Sequence, residues 1–213
     1  MLYKVTDYCR VIPDYPQEGI NFYDLNSVFA STTWNSMVEN IARRLERDSD
    51  INGPTHVVGV ESRGFVYGAA LAVELGLPFV MIRKANSKHP GVVRSQSYTL
   101  EYGTNTIELQ EGILGHTSRV IIADDLVATG GSLNASQKLC ESVGAKVLAN
   151  TALIDLVYID TPEKKELKNL ICMERILPLI DVDERVPEAL EVKKPSAIDA
   201  MKHLDSLDQH GWE

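Results

Sequence analysis

The sequence predicts an α/β fold with a central, mostly parallel sheet flanked by helices. Apolar segments typical of strands alternate with segments whose apolar residues recur at helical spacing. Such alternation is typical of parallel strands joined by crossover helices. The chain has 213 residues, 44% of them hydrophobic, and shows no internal repeat, which suits one substantial domain. We expect that domain to span residues 1–185 and residues 186–213 to form a C-terminal extension.

The first half of the domain is predicted to contain a helix, a strand and a second helix. Residues 35–47 place their apolar side chains at helical spacing, which predicts an amphipathic helix. Residues 56–60, HVVGV, predict a strand. Residues 64–75 are apolar nearly all round, which predicts a buried helix that Gly76 and Pro78 end.

The second half continues the alternation. Its predicted elements are, in order, a strand at 79–82, a flexible hairpin of 98–102 and 106–109 around Gly103, a strand at 120–123, a helix at 132–143, and strands at 147–154 and 176–180. Ser196 and Asp199 resemble a helix cap, so a helix is also expected in the extension. In such sheets the ligand site lies at the carboxyl ends of the strands.

Composition and charge restrict the class of protein. The N-terminus lacks the pattern of a secretory signal, and no apolar run approaches the ~18 residues of a membrane span. Three scattered cysteines without metal-ligand spacing indicate reduced thiols in a cytoplasmic protein, and no metal bound by the protein alone. A net charge of −9 argues against nucleic acid as a partner, but local basic residues can still attract an anionic substrate.

Residues 120–133, VIIADDLVATGGSL, carry the strongest functional signal. A buried strand leads into a small-residue turn and then a helix, and glycines at such a turn let backbone N–H groups approach an anion closely. The turn lacks the lysine and the spacing of a Walker-type loop. The residues expected to hold a phosphate are Ala128, Thr129, Gly130, Gly131 and Ser132.

Two adjacent acids, Asp124 and Asp125, come between this strand and the turn. Carboxylates beside a phosphate site need another function, such as binding sugar hydroxyls, a cation or a developing positive charge. A phosphorylated sugar is the simplest ligand that needs both groups. The alternative interpretation is an incidental strand–turn–helix with a solvated acidic pair.

Basic residues follow two other predicted strands. Arg63 comes after Ser62 at the start of a predicted helix, where a guanidinium group suits a diphosphate; a structural salt bridge is the alternative. Arg83, Lys84 and Lys88 follow the strand at 79–82. They favour an anion site over a solvated basic loop, because the chain as a whole is acidic.

The motif at 120–133 resembles the phosphoribosyl-diphosphate signature of the type I phosphoribosyltransferases. Three further segments resemble, in order and spacing, the adenine phosphoribosyltransferases within that family: VIPDYPQEGINFYDL (11–25), GVESRGFVYGAALAVELGLPFVMIRK (59–84) and SYTLEYG (97–103). The likeness covers about residues 8–155. It implies the fold of that family and the conversion of adenine and phosphoribosyl diphosphate into AMP and diphosphate. It also implies Mg²⁺, held mainly through the diphosphate.

The resemblance implies roles for individual residues as well. Glu101 would be the catalytic acid of a mobile loop over about 94–112, and Arg63 would assist it, although Glu101 alone reads as an exposed strand residue. The implied ligand contacts are Ser62, Arg63, Arg83, Lys84, Lys88 and Tyr102 for the diphosphate; Asp124, Asp125, Ala128, Thr129, Gly130, Gly131 and Ser132 for the ribose 5-phosphate; and Asn21 and Phe22 for the base. The base site would lie in a hood over about residues 1–34. A homodimer is expected.

The chain departs from the family pattern beside Phe22. Asn21 stands where an aliphatic residue is usual, and Tyr23 where a basic or amide residue is usual. Adenine is still expected, because recognition by the backbone survives a change of side chain. Transfer to hypoxanthine, guanine or xanthine stays open. A non-catalytic sensor of phosphoribosyl diphosphate also stays open, although the complete Glu101 loop and the lack of a helix-turn-helix favour an enzyme. A kinase that makes phosphoribosyl diphosphate would need an ATP site and usually a longer chain.

Overall fold

The computed structural model describes residues 4–85, 89–99 and 104–176. The strands are β1 Arg10–Ile12, β2 Phe22–Asp24, β3 His56–Val60, β4 Phe79–Lys84, β5 Val93–Thr99, β6 Thr104–Gln110, β7 Arg119–Val127, β8 Lys146–Leu156 and β9 Leu170–Ile176. The helices are α1 Asn26–Phe29, α2 Trp34–Arg47, α3 Arg63–Glu74, α4 Gly131–Ser142 and α5 Pro162–Lys165, preceded by a 3₁₀ turn at Val5–Asp7.

The main sheet is mostly parallel. Within the described residues its strand order is β5–β6–β4–β3–β7–β8–β9. Five strands run parallel to one another, namely β4, β3, β7, β8 and β9. β6 pairs antiparallel with β4, and β5 pairs antiparallel with β6. This sheet and its helices confirm the predicted fold class.

Two central strands of the sheet end side by side. β3 pairs with β7 in parallel, with Gly59 opposite Ala123. The segment from β3 to α3 and the segment from β7 to α4 therefore leave the sheet at the same edge. Ligands of open parallel sheets bind at this edge.

Helices cover both faces of the sheet. On one face α2 and α3 contribute Ile41, Tyr67 and Leu71 to the core, and on the other α4 contributes Leu133 and Leu139. The approach of α3 to β7 is close: a Cβ atom at Gly64 would lie 2.9 Å from Oδ1 of Asp124. Only glycine fits there without displacing the acidic strand end.

Most predicted elements are found where the sequence places them. The predicted strand 56–60 coincides with β3, and the predicted helices 35–47 and 64–75 correspond to α2 and α3 with ends shifted by one residue. The strand predicted at 120–123 is longer, because its pairing with β8 continues to Val127. The two acids therefore belong to β7 itself rather than to the segment after it.

The last predicted strand is displaced. The sequence places it at 176–180, but the structure forms β9 at Leu170–Ile176, paired with β8, and residues 177–180 lie outside the described part of the chain. Glu174 and Arg175 interrupt the apolar pattern of this strand. Glu174 nevertheless has a structural role, since it accepts hydrogen bonds from N and Oγ1 of Thr6 at 2.9 and 2.7 Å.

The N-terminal segment forms a small separate sheet. β1 and β2 pair antiparallel, with Ile12 opposite Phe22. The predicted extension over 186–213 lies outside the described residues. Within residues 4–85, 89–99 and 104–176, no helix has both the length and the apolar character that a membrane crossing requires.

Candidate active site

A short turn joins β7 to α4 at the carboxyl edge of the sheet. Gly130 precedes the helix with a φ of +81°, a left-handed conformation that favours glycine. A Cβ atom at Gly130 would also lie 2.9 Å from the Cα of Lys164 in α5. The first N–H groups of α4 have no partners within the helix, so the turn offers hydrogen-bond donors and a partial positive charge to an anion. This is the geometry expected of a phosphate site.

The hydroxyl groups of the turn have partners in the structure. Oγ1 of Thr129 accepts the N–H of Gly131 at 3.4 Å. Oγ of Ser132 donates to Oδ2 of Asp124 at 2.9 Å. Ser132 therefore connects the turn with the acidic end of β7, so the two predicted parts of the site are in contact.

The two acids are buried side by side. Asp124 is 7% exposed and Asp125 is 6% exposed, and Oδ1 of Asp124 accepts the N–H of Asp125 at 2.9 Å. Burial, followed by the charge of Asp125, raises the pKa of Asp124 well above its usual range. Burial also raises the pKa of Asp125, although Arg63 opposes this effect. Such a pair favours the binding of a proton, a cation or hydroxyl donors.

Arg63, the first residue of α3, reaches across the site. Its Nε atom lies 2.7 Å from Oδ2 of Asp125, as an ion pair without the alignment of a hydrogen bond. Its Nη1 atom donates to the backbone oxygen of Tyr23 at 3.4 Å, and its guanidinium carbon lies 5.4 Å from the centre of the Phe22 ring. One side chain thus connects the acidic pair with the residue expected to contact a base.

The two residues beside Phe22 differ in exposure. Asn21 is exposed and Phe22 is half-buried, with its ring in edge contact with Tyr15 at a centroid distance of 5.2 Å. Tyr23 is buried and points to the face of β2 opposite Phe22, since successive side chains of a strand alternate. Burial, followed by the neighbouring Tyr158, raises the pKa of Tyr23 to about 12. Of the two departures from the family pattern, only Asn21 adjoins Phe22 on an exposed surface.

The basic residues expected at the diphosphate lie at the ends of β3 and β4. Ser62 is exposed at the N-terminus of α3, after a cis Glu61–Ser62 peptide. The backbone N–H of Lys84 donates to Oε2 of Glu61 at 2.7 Å, and Nε of Arg83 lies 3.8 Å from the same atom. The predicted residues Lys88, Glu101 and Tyr102 lie outside the described residues, so their roles stay predictions.

Comparison with known proteins identifies the family. Residues 32–184 match the family model of the phosphoribosyl transferase domain. The chain is 41% identical to an adenine phosphoribosyltransferase of Rhodospirillum rubrum over 169 residues, which cover 77% of this chain and 94% of the relative. The chain belongs to the adenine phosphoribosyltransferase family. The resemblance found in the sequence motifs is therefore confirmed.

Solved structures of the family share the fold. A crystal structure of adenine phosphoribosyltransferase from Thermoanaerobacter pseudethanolicus matches with a TM-score of 0.74 and 35% identity, covering 81% of this chain and 98% of the other. A Saccharomyces cerevisiae adenine phosphoribosyltransferase, complexed with an imino-altritol bisphosphate and adenine, matches with a TM-score of 0.74 and 32% identity, covering 80% and 96%.

Sequence reasoning missed a buried ion pair, that of Lys164 with Asp155. Lys164 in α5 contacts the turn that joins β7 to α4, since its ammonium group donates to the backbone oxygen of Ala128 at 3.3 Å. Thr161 followed by Pro162 is a recognisable signal for the start of a helix. The contact between this helix and the turn depends on tertiary folding, which no local pattern shows.

Proposed function

We propose that this protein transfers the 5-phosphoribosyl group from phosphoribosyl diphosphate to adenine, giving AMP and diphosphate in purine salvage. Membership of the adenine phosphoribosyltransferase family supports the reaction. The observation that carries the proposal is the arrangement of Arg63, which lies against both Asp125 and Phe22. A sugar held by the acids would then lie close to a base held by the ring.

The turn and the acidic pair are proposed to hold the ribose 5-phosphate. The N–H groups and hydroxyls of residues 128–132 suit the 5′-phosphate, since a helix N-terminus favours an anion. Asp124 and Asp125 suit the ribose hydroxyls, which donate hydrogen bonds to carboxylates. The Oδ2 atom of Asp125 has no aligned hydrogen-bond donor, so it can accept one from the sugar.

The cations of the site are proposed to hold the diphosphate. These residues are Arg63, Arg83, Lys84 and Lys88, with Ser62 and Tyr102 as hydroxyl donors. Mg²⁺ suits the same place, because it prefers oxygen ligands and the carboxylate of Asp125 lies beside Arg63, one of the cations proposed to hold the diphosphate. Bound there mainly through the diphosphate, the metal would offset the charge of the leaving group.

The reaction follows from these contacts. Departure of diphosphate leaves positive charge on the ribosyl group, and the nearby acids stabilise that charge. Phe22 is proposed to stack on the adenine, while the backbone at Asn21 reads its amino edge. Glu101 follows β5 in the sequence and lies outside the described residues; it is proposed to exchange a proton with the purine once the mobile loop implied by the family motif has closed and excluded water.

The chain is further proposed to act as a cytoplasmic homodimer. Val66 and Val73 lie two turns apart on α3 and are 46% and 82% exposed, and Met81 of the neighbouring β4 is 46% exposed. Exposed apolar side chains of this kind favour association between copies. The described cysteines are all unpaired, which suits a reducing compartment.

The test is an assay with each purine separately. Purified protein, Mg²⁺ and phosphoribosyl diphosphate are incubated with adenine, hypoxanthine, guanine or xanthine, and nucleotide and diphosphate are both quantified. AMP and diphosphate in equal amounts are expected. An Asp124→Asn/Asp125→Asn variant serves as the inactive control, and Asp160→Asn, an acid 66% exposed in its side chain, as the matched control. Binding of phosphoribosyl diphosphate without product from any purine would instead indicate a sensor.

A further inference from the structure

A buried ion pair lies directly behind the phosphate turn. Nζ of Lys164 lies 2.5 Å from Oδ1 of Asp155, and the two side chains are 10% and 2% exposed. The same Nζ atom donates to the backbone oxygens of Leu156 at 2.7 Å and of Ala128 and Ile159 at 3.3 Å. The ammonium group therefore joins the end of β8, the segment after it and the phosphate turn at a single point.

The residue before α5 contacts the same turn, and α5 itself contacts α4. The hydroxyl of Thr161 donates to the backbone oxygen of Thr129, and Nδ2 of Asn134 in α4 donates to the oxygen of Glu163 at 3.1 Å. The Cα atom of Lys164 occupies the space beside Gly130 that a Cβ atom would need. Two successive carbonyl groups of the turn, those of Ala128 and Thr129, are thus held on the side of α5.

The direction of these carbonyls determines the direction of the neighbouring N–H groups. In a trans peptide the C=O of one residue and the N–H of the next point in opposite directions. With the oxygens of Ala128 and Thr129 bound to α5, the N–H groups of Thr129 and Gly130 point away from α5. Those N–H groups then face the side on which an anion is expected.

We propose that Lys164 is a positioning residue, which orients the phosphate turn for the 5′-phosphate of the substrate by binding the carbonyl of Ala128. The inference rests on the proposed function. A buried ion pair contributes little more stability than well-packed apolar side chains of similar volume. An apolar pair would fill the space but would remove the Lys164 donor from the carbonyls of Ala128, Leu156 and Ile159, of which only that of Ala128 belongs to the phosphate turn.

The test is a double variant that removes the pair without leaving one buried charge. In Asp155→Leu/Lys164→Met we expect a melting temperature near that of the wild type. The dissociation constant for phosphoribosyl diphosphate, measured by calorimetry, should rise about tenfold, as expected for one hydrogen bond that helps hold the ligand. The KM for phosphoribosyl diphosphate should rise in parallel, while kcat and the KM for adenine change little, because the turn holds the phosphate before and during the reaction.

Two further variants separate positioning from stability. Lys165 lies in the same helix, and its exposed side chain pairs with Asp160, so Lys165→Met should leave the dissociation constant, kcat and both KM values unchanged. Lys164→Arg keeps a charged donor and should retain part of the affinity that the double variant loses. A purely structural lysine would instead lower the amount of folded enzyme and leave both KM values unchanged.

The outcomes are distinguishable. A folded double variant that binds phosphoribosyl diphosphate as tightly as the wild type overturns the inference and leaves the proposed function intact. A double variant that fails to fold also overturns it, because the pair is then required for the fold itself. Failure of the wild type to bind phosphoribosyl diphosphate overturns the proposed function and this inference together.

Discussion

Arg63 and Asp125 form an ion pair across the carboxyl edge of the sheet, with 2.7 Å between Nε and Oδ2. The pair joins the first residue of α3 to the end of β7. Without a ligand, Arg63 offsets the charge of a carboxylate that is almost wholly buried. A sugar diphosphate would bring hydroxyl donors to Asp125 and phosphate oxygens to Arg63. Each side chain could then contact the ligand in place of the other.

Replacement of Arg63 is expected to impair activity. Arg63→Met removes a partner of Asp125 and a donor to the diphosphate, and charge-assisted hydrogen bonds contribute about 1.5–3 kcal/mol each. We therefore expect kcat/KM to fall by about 10²-fold. Steady-state assays with adenine check this. Arg43→Met is the matched control, since Arg43 is exposed and pairs with Glu39 of the same helix. Equal activity of both variants would contradict the role of Arg63.

Asp124→Asn is expected to stabilise the free protein while weakening binding. The pKa of Asp124 is higher in the folded chain than its unfolded value of about 3.9. The folded state therefore binds the proton more tightly, and this stability is present below the unfolded pKa and is lost as pH rises through the folded pKa. At neutral pH the variant should gain about 1 kcal/mol in the free energy of unfolding, and the gain should vanish in acid.

Urea unfolding at acidic and neutral pH measures this difference, and calorimetry measures the affinity for phosphoribosyl diphosphate. Loss of a charged acceptor for a ribose hydroxyl should weaken binding by about 10-fold or more. Asp160→Asn should change neither quantity, because that carboxylate is exposed. A variant that is less stable at neutral pH would show that ionised Asp124 supports the fold.

The cysteines are expected to be unreactive in the folded protein. Burial raises the pKa of Cys9, Cys140 and Cys172 to about 12 in each case. Since the thiolate is the reactive species, alkylation by iodoacetamide at pH 8 should be slower than in urea by at least about 10²-fold. Mass spectrometry counts the modified thiols. Rapid modification of any cysteine under native conditions would mean that its side chain reaches solvent.

Glu101→Gln is expected to lower turnover far more than binding. The residue lies outside the described residues, and its role is implied by the family motif. Loss of a positioned proton-transfer group typically lowers kcat by about 10²-fold or more, while the dissociation constants stay near wild type. Glu111→Gln is the control, because Glu111 adjoins β6 and pairs on the surface with Arg94. Turnover close to wild type would make Glu101 an ordinary loop residue.

Local patterns in the sequence predict the elements of this fold better than their contacts. The apolar spacing of α2 and the uninterrupted HVVGV of β3 are visible in the chain because burial dictates residue type at each position. The predicted position of β9 is wrong because Glu174 is a charged residue, which does not fit the apolar pattern of a buried strand. In the structure Glu174 is accommodated by a hydrogen bond from Thr6, which is 168 positions away. Such pairing decides the structure without leaving a local pattern.

The sequence likewise predicts some features of the candidate site and not others. The turn after β7 and its acids follow from a contiguous motif, and their proximity to Arg63 follows from parallel strands that end together. Two other contacts join segments that are distant in the sequence. Arg63 contacts Phe22, and Lys164 of α5 donates a hydrogen bond to the backbone oxygen of Ala128 in the turn. These contacts arise from packing of distant segments, which the spacing of residues does not encode.

The two residues that flank Phe22, Asn21 and Tyr23, differ in how they can affect the choice of base. Asn21 is exposed beside Phe22, whereas the Tyr23 side chain is buried near Tyr158. Tyr23→Phe should therefore leave the ranking of the bases unchanged. Asn21 carries an amide that can donate or accept a hydrogen bond, so it can contact the edge of a bound purine.

Adenine is expected to be the preferred base. Its amino donor and ring acceptor match a backbone C=O and N–H near Asn21, whereas hypoxanthine presents a carbonyl and an N–H in the reverse order. Each mismatch typically costs ~1–3 kcal/mol, so adenine should be preferred by at least about 10²-fold in kcat/KM. Asn21→Val should keep activity with adenine and increase this ratio, because valine offers no amide to compensate for the mismatch. Competition assays with labelled bases measure the ratio in the wild type, in Asn21→Val and in Tyr23→Phe. Equal or better use of hypoxanthine or guanine by the wild type would contradict backbone recognition of adenine, since a donor and an acceptor in reversed order would then be satisfied at the same place.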